Sequence, residues 1–189
     1  MERYSRMLLH FLHTARGRLG RLEAFVFSTR LTRITRELRE RDPNGALDAV
    51  SRKVPDWSGG TRIGESLHEF FRHWSRRTLG HGAIVLIISD GWERGDPALL
   101  AAEMRRLSLR SHRVVWLNPL AGQPGYAPLT RGMQAALPYV TDLLAAHNVL
   151  DLEALAVLLG GVPRRGGESA GVHGGSRSTS VPLATSAID

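Results

Sequence analysis

Thr61 and Asp90 are the residues whose types and settings could do chemistry together. Thr61 lies in Trp57-Ser58-Gly59-Gly60-Thr61-Arg62-Ile63-Gly64, a glycine-flexed turn that presents a lone hydroxyl just before an amphipathic helix. Asp90 ends the apolar run Ile84-Val85-Leu86-Ile87-Ile88-Ser89-Asp90-Gly91. In an open α/β sheet, ligands bind at the carboxyl ends of strands, where Asp90 would stand. A hydroxyl and a carboxylate on adjacent loops are hard oxygen donors of the kind magnesium prefers. Each residue also has a plainer role: Asp-Gly after a strand is ordinary turn chemistry, and Thr61 could cap the following helix. Ser58, Gly59 and Gly60 shape the loop. Glu93 and Asp96, on the same loop as Asp90, could tune its charge, with capping as their default role.

Other chemistries find little support. His68-Glu69-Phe70-Phe71-Arg72-His73 resembles the zinc motif H-E-x-x-H, but its histidines stand at i and i+5. That spacing puts them about 140° apart on a helix, where zinc needs i and i+4 on one face. His10 and His13 share a face and read as boundary positions; Trp57, Trp74 and Trp116 read as core or rim packing. There is no phosphate-binding G-x-x-x-x-G-K loop and no G-x-G-x-x-G, and the G-x-S-x-G run at Gly167 to Gly171 lies in a Gly/Ser/Arg-rich stretch with no expected strand before it, so an intrinsic enzyme is not expected. The absence of cysteine excludes disulfides, thiolate zinc sites and cysteine nucleophiles.

The 189 residues, 42% of them hydrophobic, suit one domain with a sizeable core. The formal charge of +7 is almost all arginine, since Lys53 is the only lysine. Arg33, Arg36, Arg39 and Arg41 alternate with Glu37, Glu40 and Asp42, the pattern of a solvated face rather than a nucleic-acid surface. The first apolar stretch, Met7 to Leu12, is interrupted by His10 and lacks a signal-peptide pattern. No apolar run approaches the roughly 20 residues that span a bilayer, and the chain reads as cytoplasmic.

Strands alternating with helices must position the two donors. Helical spacing predicts a helix over Glu2 to Arg18, with Met7, Leu8, Phe11, Leu12 and Ala15 on one face. Strands are expected at Glu23 to Ser28 and, as a short edge, at Leu31 to Thr35. Asp42-Pro43-Asn44-Gly45 signals a turn before a helix at Ala46 to Val54. The helix after Thr61 should run from Ile63 to Leu79, burying Ile63, Leu67, Phe70, Phe71 and Trp74. Ala83 to Ser89 lacks polar alternation, so it should be buried on both faces of a parallel sheet. A helix capped by Asp96-Pro97 through Leu109, a strand at Arg113 to Leu117 closed by Asn118-Pro119, and a Pro/Gly loop from Ala121 to Pro128 follow. A helix at Thr130 to Leu137, an extended piece at Tyr139 to Thr141 and a helix at Asp151 to Leu159 complete an α/β order with a mostly parallel sheet. The Gly/Ser/Arg-rich stretch 161–189 has almost no apolar clustering and is expected to be disordered.

The WSGGTRIG turn, the LIISDGWERGD strand-loop and the VVWLNPL strand together resemble von Willebrand factor A domains, most closely the CoxE-like bacterial set. The similarity covers residues 1–160. It implies a doubly wound fold with a magnesium-binding, metal-ion-dependent adhesion site above the sheet. Such a site draws on a D-x-S-x-S motif after the first strand, a threonine and an aspartate. Thr61 matches that threonine and Asp90 that aspartate. The D-x-S-x-S motif is missing, and Met1 resembles the methionine that ends it in CoxE-like relatives. The chain is therefore expected to start just after the first, central strand, through an internal-methionine start or as a genuine fragment. Two inner strand edges, at Glu23–Ser28 and Ala83–Ser89, would then close up or leave a gap. Two oxygen ligands are too few for magnesium, which takes six, so binding by this chain should be weak or absent. The resemblance further implies a non-enzymatic module acting with a MoxR-type AAA+ ATPase on a client metalloenzyme. Such pairs mature molybdenum hydroxylases such as carbon monoxide dehydrogenase. The alternatives are an arginine-rich nucleic-acid-binding protein and a phosphoryl-transfer enzyme that uses Asp90.

Overall fold

The structure is a computed structural model that describes residues 11, 21–54, 60–80, 82–145 and 180–186. The helices expected at Glu2–Arg18 and Asp151–Leu159 lie outside the described residues, apart from helical Phe11. Six strands form one sheet: β1 (Arg21–Phe27), β2 (Leu31–Arg33), β3 (Ile84–Ile88), β4 (Arg113–Asn118), β5 (Asp142–Ala145) and β6 (Ser180–Ser186). Their spatial order is β2-β1-β6-β3-β4-β5, parallel throughout except for the β1–β2 hairpin. The edge strands are the short ones, three and four residues, which limits exposed pairing edges.

Alternation along β1 and β3 builds two cores. Ala24, Val26, Ile84, Leu86 and Ile88 face one side, where α1 (Pro43–Lys53) contributes Leu47 and Val50. Phe25, Phe27, Val85 and Ile87 face the other, under α2 (Ile63–His73) and α4 (Pro97–Ser108). β3 is buried at all five positions, as its unbroken apolar run requires. The fold is the expected doubly wound α/β sheet with helices on both faces.

Several boundaries differ for local physical reasons. α1 begins three residues earlier than expected, because Asp42 accepts from Gly45 N at 2.8 Å and Pro43 starts the helix. The turn signal is thus the cap and first turn of the helix. The helix after Thr61 breaks at Trp74, giving α2 and a short α3 (Ser75–Thr78). Trp74 packs edge-on to Phe25 and under the Arg33 guanidinium, so tertiary anchoring overrides helical continuity. α5 (Arg131–Ala136) opens on Thr130, which accepts from Met133 N. The extended piece placed at Tyr139–Thr141 lies instead at Asp142–Ala145, with Leu137–Tyr139 a 3-10 turn. Arg113 forks onto Asp142 at 2.8 and 2.9 Å, and this charged fork ties β5 to the start of β4.

The largest correction concerns the centre of the sheet. A gap or a collapse was expected between β1 and β3, and disorder over 161–189. Instead, Ser180–Ser186 forms β6 in that slot, parallel to both neighbours. β6 pairs with β1 from Arg21↔Ser180 to Phe27↔Ser186, and with β3 from Leu86↔Leu183 to Ile88↔Thr185. Unsatisfied N–H and C=O groups on two buried inner edges cost about 1–3 kcal/mol each. A segment of weak strand propensity is recruited because it removes that cost. The rest of 161–189 lies outside the described residues.

Candidate functional site

Three loops meet above the carboxyl ends of β1, β3 and β4. The first carries Thr61 and is hydrogen-bonded to the end of β1 by Arg62 N to Ser28 O at 3.1 Å. Gly60 turns it with φ of +80°, a conformation that strains any residue with a Cβ, and the Arg94 side chain lies close against it. The second loop follows β3. Its Arg94 N donates to Thr61 O at 3.0 Å, and Glu93 accepts from Gly64 N at 3.0 Å. Two hydrogen bonds thus join the Thr61 and Asp90 loops.

The plainer roles sort themselves out in this geometry. Thr61 does not cap α2: the cap position is Arg62, which makes no side-chain capping bond. Glu93 does that work from across the site, its other oxygen accepting from Gly95 N. A carboxylate at the start of α2 also suits the positive end of the helix dipole. Asp96 caps α4 through Ala98 N at 2.9 Å. Thr61 is buried, at 7% exposure, beside this arrangement.

Asp90 is half-buried, and its Oδ1 accepts from Trp92 N at 3.0 Å in a tight local turn. Ser89 is fully buried: its Oγ accepts from Gly91 N, and its carbonyl accepts from the Trp116 indole at 2.8 Å. Trp116 is therefore core, as expected. Gly91 has φ of +81°, and a Cβ there would collide with Met133 of α5. The loop thus lies directly on α5. Trp92, by contrast, is 65% exposed at the rim.

The third loop follows β4 and supplies residues that the sequence did not flag. Asn118, fully buried at the end of β4, donates to the Asp90 carbonyl at 3.3 Å and to the Tyr126 hydroxyl at 2.7 Å. Its own Oδ1 accepts from Leu120 N at 2.8 Å. Burial pushes the Tyr126 phenol above its usual pKa and the Asp90 negative charge pushes it further, while the Asn118 bond pulls the other way. Tyr126 therefore sits within the electrostatic reach of Asp90. An asparagine at a strand's carboxyl end was a readable signal; a tyrosine deep in a Pro/Gly loop was not.

Thr61 and Asp90 are the right donor types for a hard divalent cation, but their number is short. Glu93 is committed to two backbone N–H groups. Among the described residues no group of three or more His, Asp or Glu could hold a metal ion. His68 instead meets Glu103 at 2.7 Å on the outside of α2. Trp57, Ser58 and Gly59 lie outside the described residues. No helix among the described residues is long and apolar enough to cross a membrane.

A doubly wound sheet of this kind is the fold of von Willebrand A domains. The family model for VWA domain-containing CoxE-like proteins matches residues 1–152, well over half of the chain, and the chain belongs to that family. No curated protein and no solved structure matches it.

Proposed function

We propose that the chain is a non-enzymatic docking module whose contact surface is the carboxyl end of the sheet. Thr61 and Asp90 form half of a magnesium site there, and Trp92 forms an exposed rim. The partner is a MoxR-type AAA+ ATPase, and the pair acts in maturation of a molybdenum hydroxylase such as carbon monoxide dehydrogenase. Membership of the CoxE-like family supports this reading. The observation that carries it is the pair of hydrogen bonds joining the Thr61 and Asp90 loops, at Arg94 N–Thr61 O and Gly64 N–Glu93. A bound magnesium would supply an electrophilic position for a partner carboxylate. The chain's own residues would orient that position: Trp92 N holds Asp90 Oδ1, and Asn118 holds the Asp90 carbonyl.

The rival readings draw less support. Many basic side chains are already in ion pairs, including Arg33–Glu23, Lys53–Glu37, Arg62–Glu65 and Arg113–Asp142. That disperses the charge a nucleic-acid surface would concentrate. For phosphoryl transfer, no cluster of further carboxylates surrounds Asp90 among the described residues.

The test is capture of the ATPase from host extract on the immobilised chain, with magnesium or with chelator, against Asp90→Ala. The chain alone should bind magnesium weakly or not at all, so the ion is held only in the joint site with the partner: capture should fall at least tenfold with chelator and with the variant. Capture that withstands both but fails at high salt would move the reading to nucleic acid or charge-driven binding.

A further inference from the structure

Among the described residues, the two halves of the sheet do not pair with each other. β1 and β2 form one half and β3, β4 and β5 the other; β6 alone is hydrogen-bonded to both. The candidate site straddles the same seam. Thr61 hangs from the end of β1 through Arg62 N and Ser28 O, whereas Asp90 follows β3 directly. One strand adds about 4.8 Å to a sheet. Adding or removing β6 therefore changes the separation of β1 and β3 by about one strand width.

β6 also fits its slot imperfectly. It pairs with β1 over seven residues but with β3 over three, Leu183 to Thr185. Pro182, just before that shorter ladder, has no N–H to donate, and proline is normally kept out of central strands. An apolar cavity of about 20 Å³, room for roughly one water, lies between Phe25 and Phe27 of β1, Val85 and Ile87 of β3, and Phe70 of α2. The β6 register position between Phe25 and Ile87 is Ala184, a residue of low strand propensity. Ser66 also lines the cavity, and its buried Oγ has no hydrogen-bond partner among the described residues.

We propose that the slot between β1 and β3 is an intramolecular strand-binding site whose reversible ligand is Ser180–Ser186, and that its occupancy sets the spacing of the Thr61 and Asp90 loops. β6 lies beyond the family match, which ends at residue 152, so the device is a feature of this chain rather than of the family model. The consequence for docking rests on the proposed function; the strand-binding itself does not. Any protein that engages the C-terminal segment would change the docking surface through β6. Departure of the strand leaves two edges that must close together or face solvent, and either result moves the site.

Amide hydrogen exchange followed by NMR on the full chain tests this, with two variants. In the wild type, amides of β1 and β3 on the edges facing β6 should exchange at least tenfold faster than those pairing β3 with β4. Leu183→Pro should lower inner-edge protection by a hundredfold or more while changing the β3–β4 amides less than tenfold. Ala184→Val, which puts a β-branched residue at the central register position of β6, should raise inner-edge protection several-fold and serves if the proline variant fails to fold. Equal exchange of both sets of amides in the wild type, or no response to Ala184→Val, would overturn the proposal. Protection that grows with protein concentration would also overturn it, by making a second copy the strand donor. Resonances of Thr61, Asp90 and Trp92 should shift in Leu183→Pro without any metal. If they shift but ATPase capture is the same with magnesium and with chelator, the metal-docking reading fails and the strand-binding site stands.

Discussion

β3 reads Ile-Val-Leu-Ile-Ile and is buried at every position, while β6, hydrogen-bonded beside it, reads Ser-Val-Pro-Leu-Ala-Thr-Ser. The first is a buried parallel strand by composition: β-branched and apolar on both faces. The second carries a proline and small residues, and is preceded in sequence by a run rich in glycine, serine and arginine. Their adjacency shows two routes to a central strand. β3 earns its place through its side chains. β6 is held by backbone groups of its neighbours that would otherwise lack partners.

If that contrast is right, equivalent substitutions in the two strands should differ in cost. Leu86 and Leu183 are in register, and Leu86 is fully buried. Leu86→Ala should lose about 2–5 kcal/mol in urea unfolding, the usual cost of truncating a core leucine. Leu183→Ala should lose less than half as much. Equal losses would make β6 as much a part of the core as β3.

A second measurement asks whether β1 is secured independently of β6. Glu23 stands in register with Pro182, yet its carboxylate is held by Arg33 at 2.7 and 2.9 Å and by the Thr35 hydroxyl at 2.9 Å. Burial alone would raise the Glu23 pKa, but the Arg33 and Thr35 bonds and the charges of Arg33 and Arg21 outweigh it and hold it below the usual value. The sign follows from that depression. The stabilisation is fully present above the unfolded-state pKa of about 4.3 and is lost as pH falls through the lower folded value. Glu23→Ala should cost about 1.5–3 kcal/mol at neutral pH and flatten the acid limb of a stability–pH curve. An unchanged acid limb would mean that other carboxylates carry it.

Smaller effects separate the tied part of the site from its rim. Glu93→Ala removes the acceptor for Gly64 N and should cost about 1 kcal/mol, as loss of a helix cap does. It should also speed exchange of the Gly64 amide while leaving β6 protection alone. Trp92→Ala should change stability by no more than about 0.5 kcal/mol, since the side chain is 65% exposed, yet reduce ATPase capture. A large stability loss there would mean that Trp92 packs rather than docks.

Much of the frame was legible from residue order. The α2 stripe of Ile63, Leu67, Phe70 and Phe71 is buried as its helical spacing demands, and Asp96-Pro97 starts α4. Periodicity reports such features because burial of a helix face or a buried strand depends on nearby residues. The break at Trp74 and the shift of β5 to Asp142 were not legible, since a ring packed edge-on against Phe25 of β1 and a fork from Arg113 settle them. In the site, Thr61 and Asp90 could be named from their loops, but the capping of α2 by Glu93 joins residues 29 apart. The Asn118–Tyr126 contact bridges to Asp90 from another strand altogether.

Local composition therefore settled the class of fold and the buried strand at β3, and it named the two candidate oxygen donors. It could not settle which segment completes the sheet. Propensity scores a segment by its own side chains, whereas β6 is selected by the unsatisfied hydrogen-bonding groups of two strands far away in sequence. Those groups exist only once β1 and β3 have been brought to their places by the two cores that flank them.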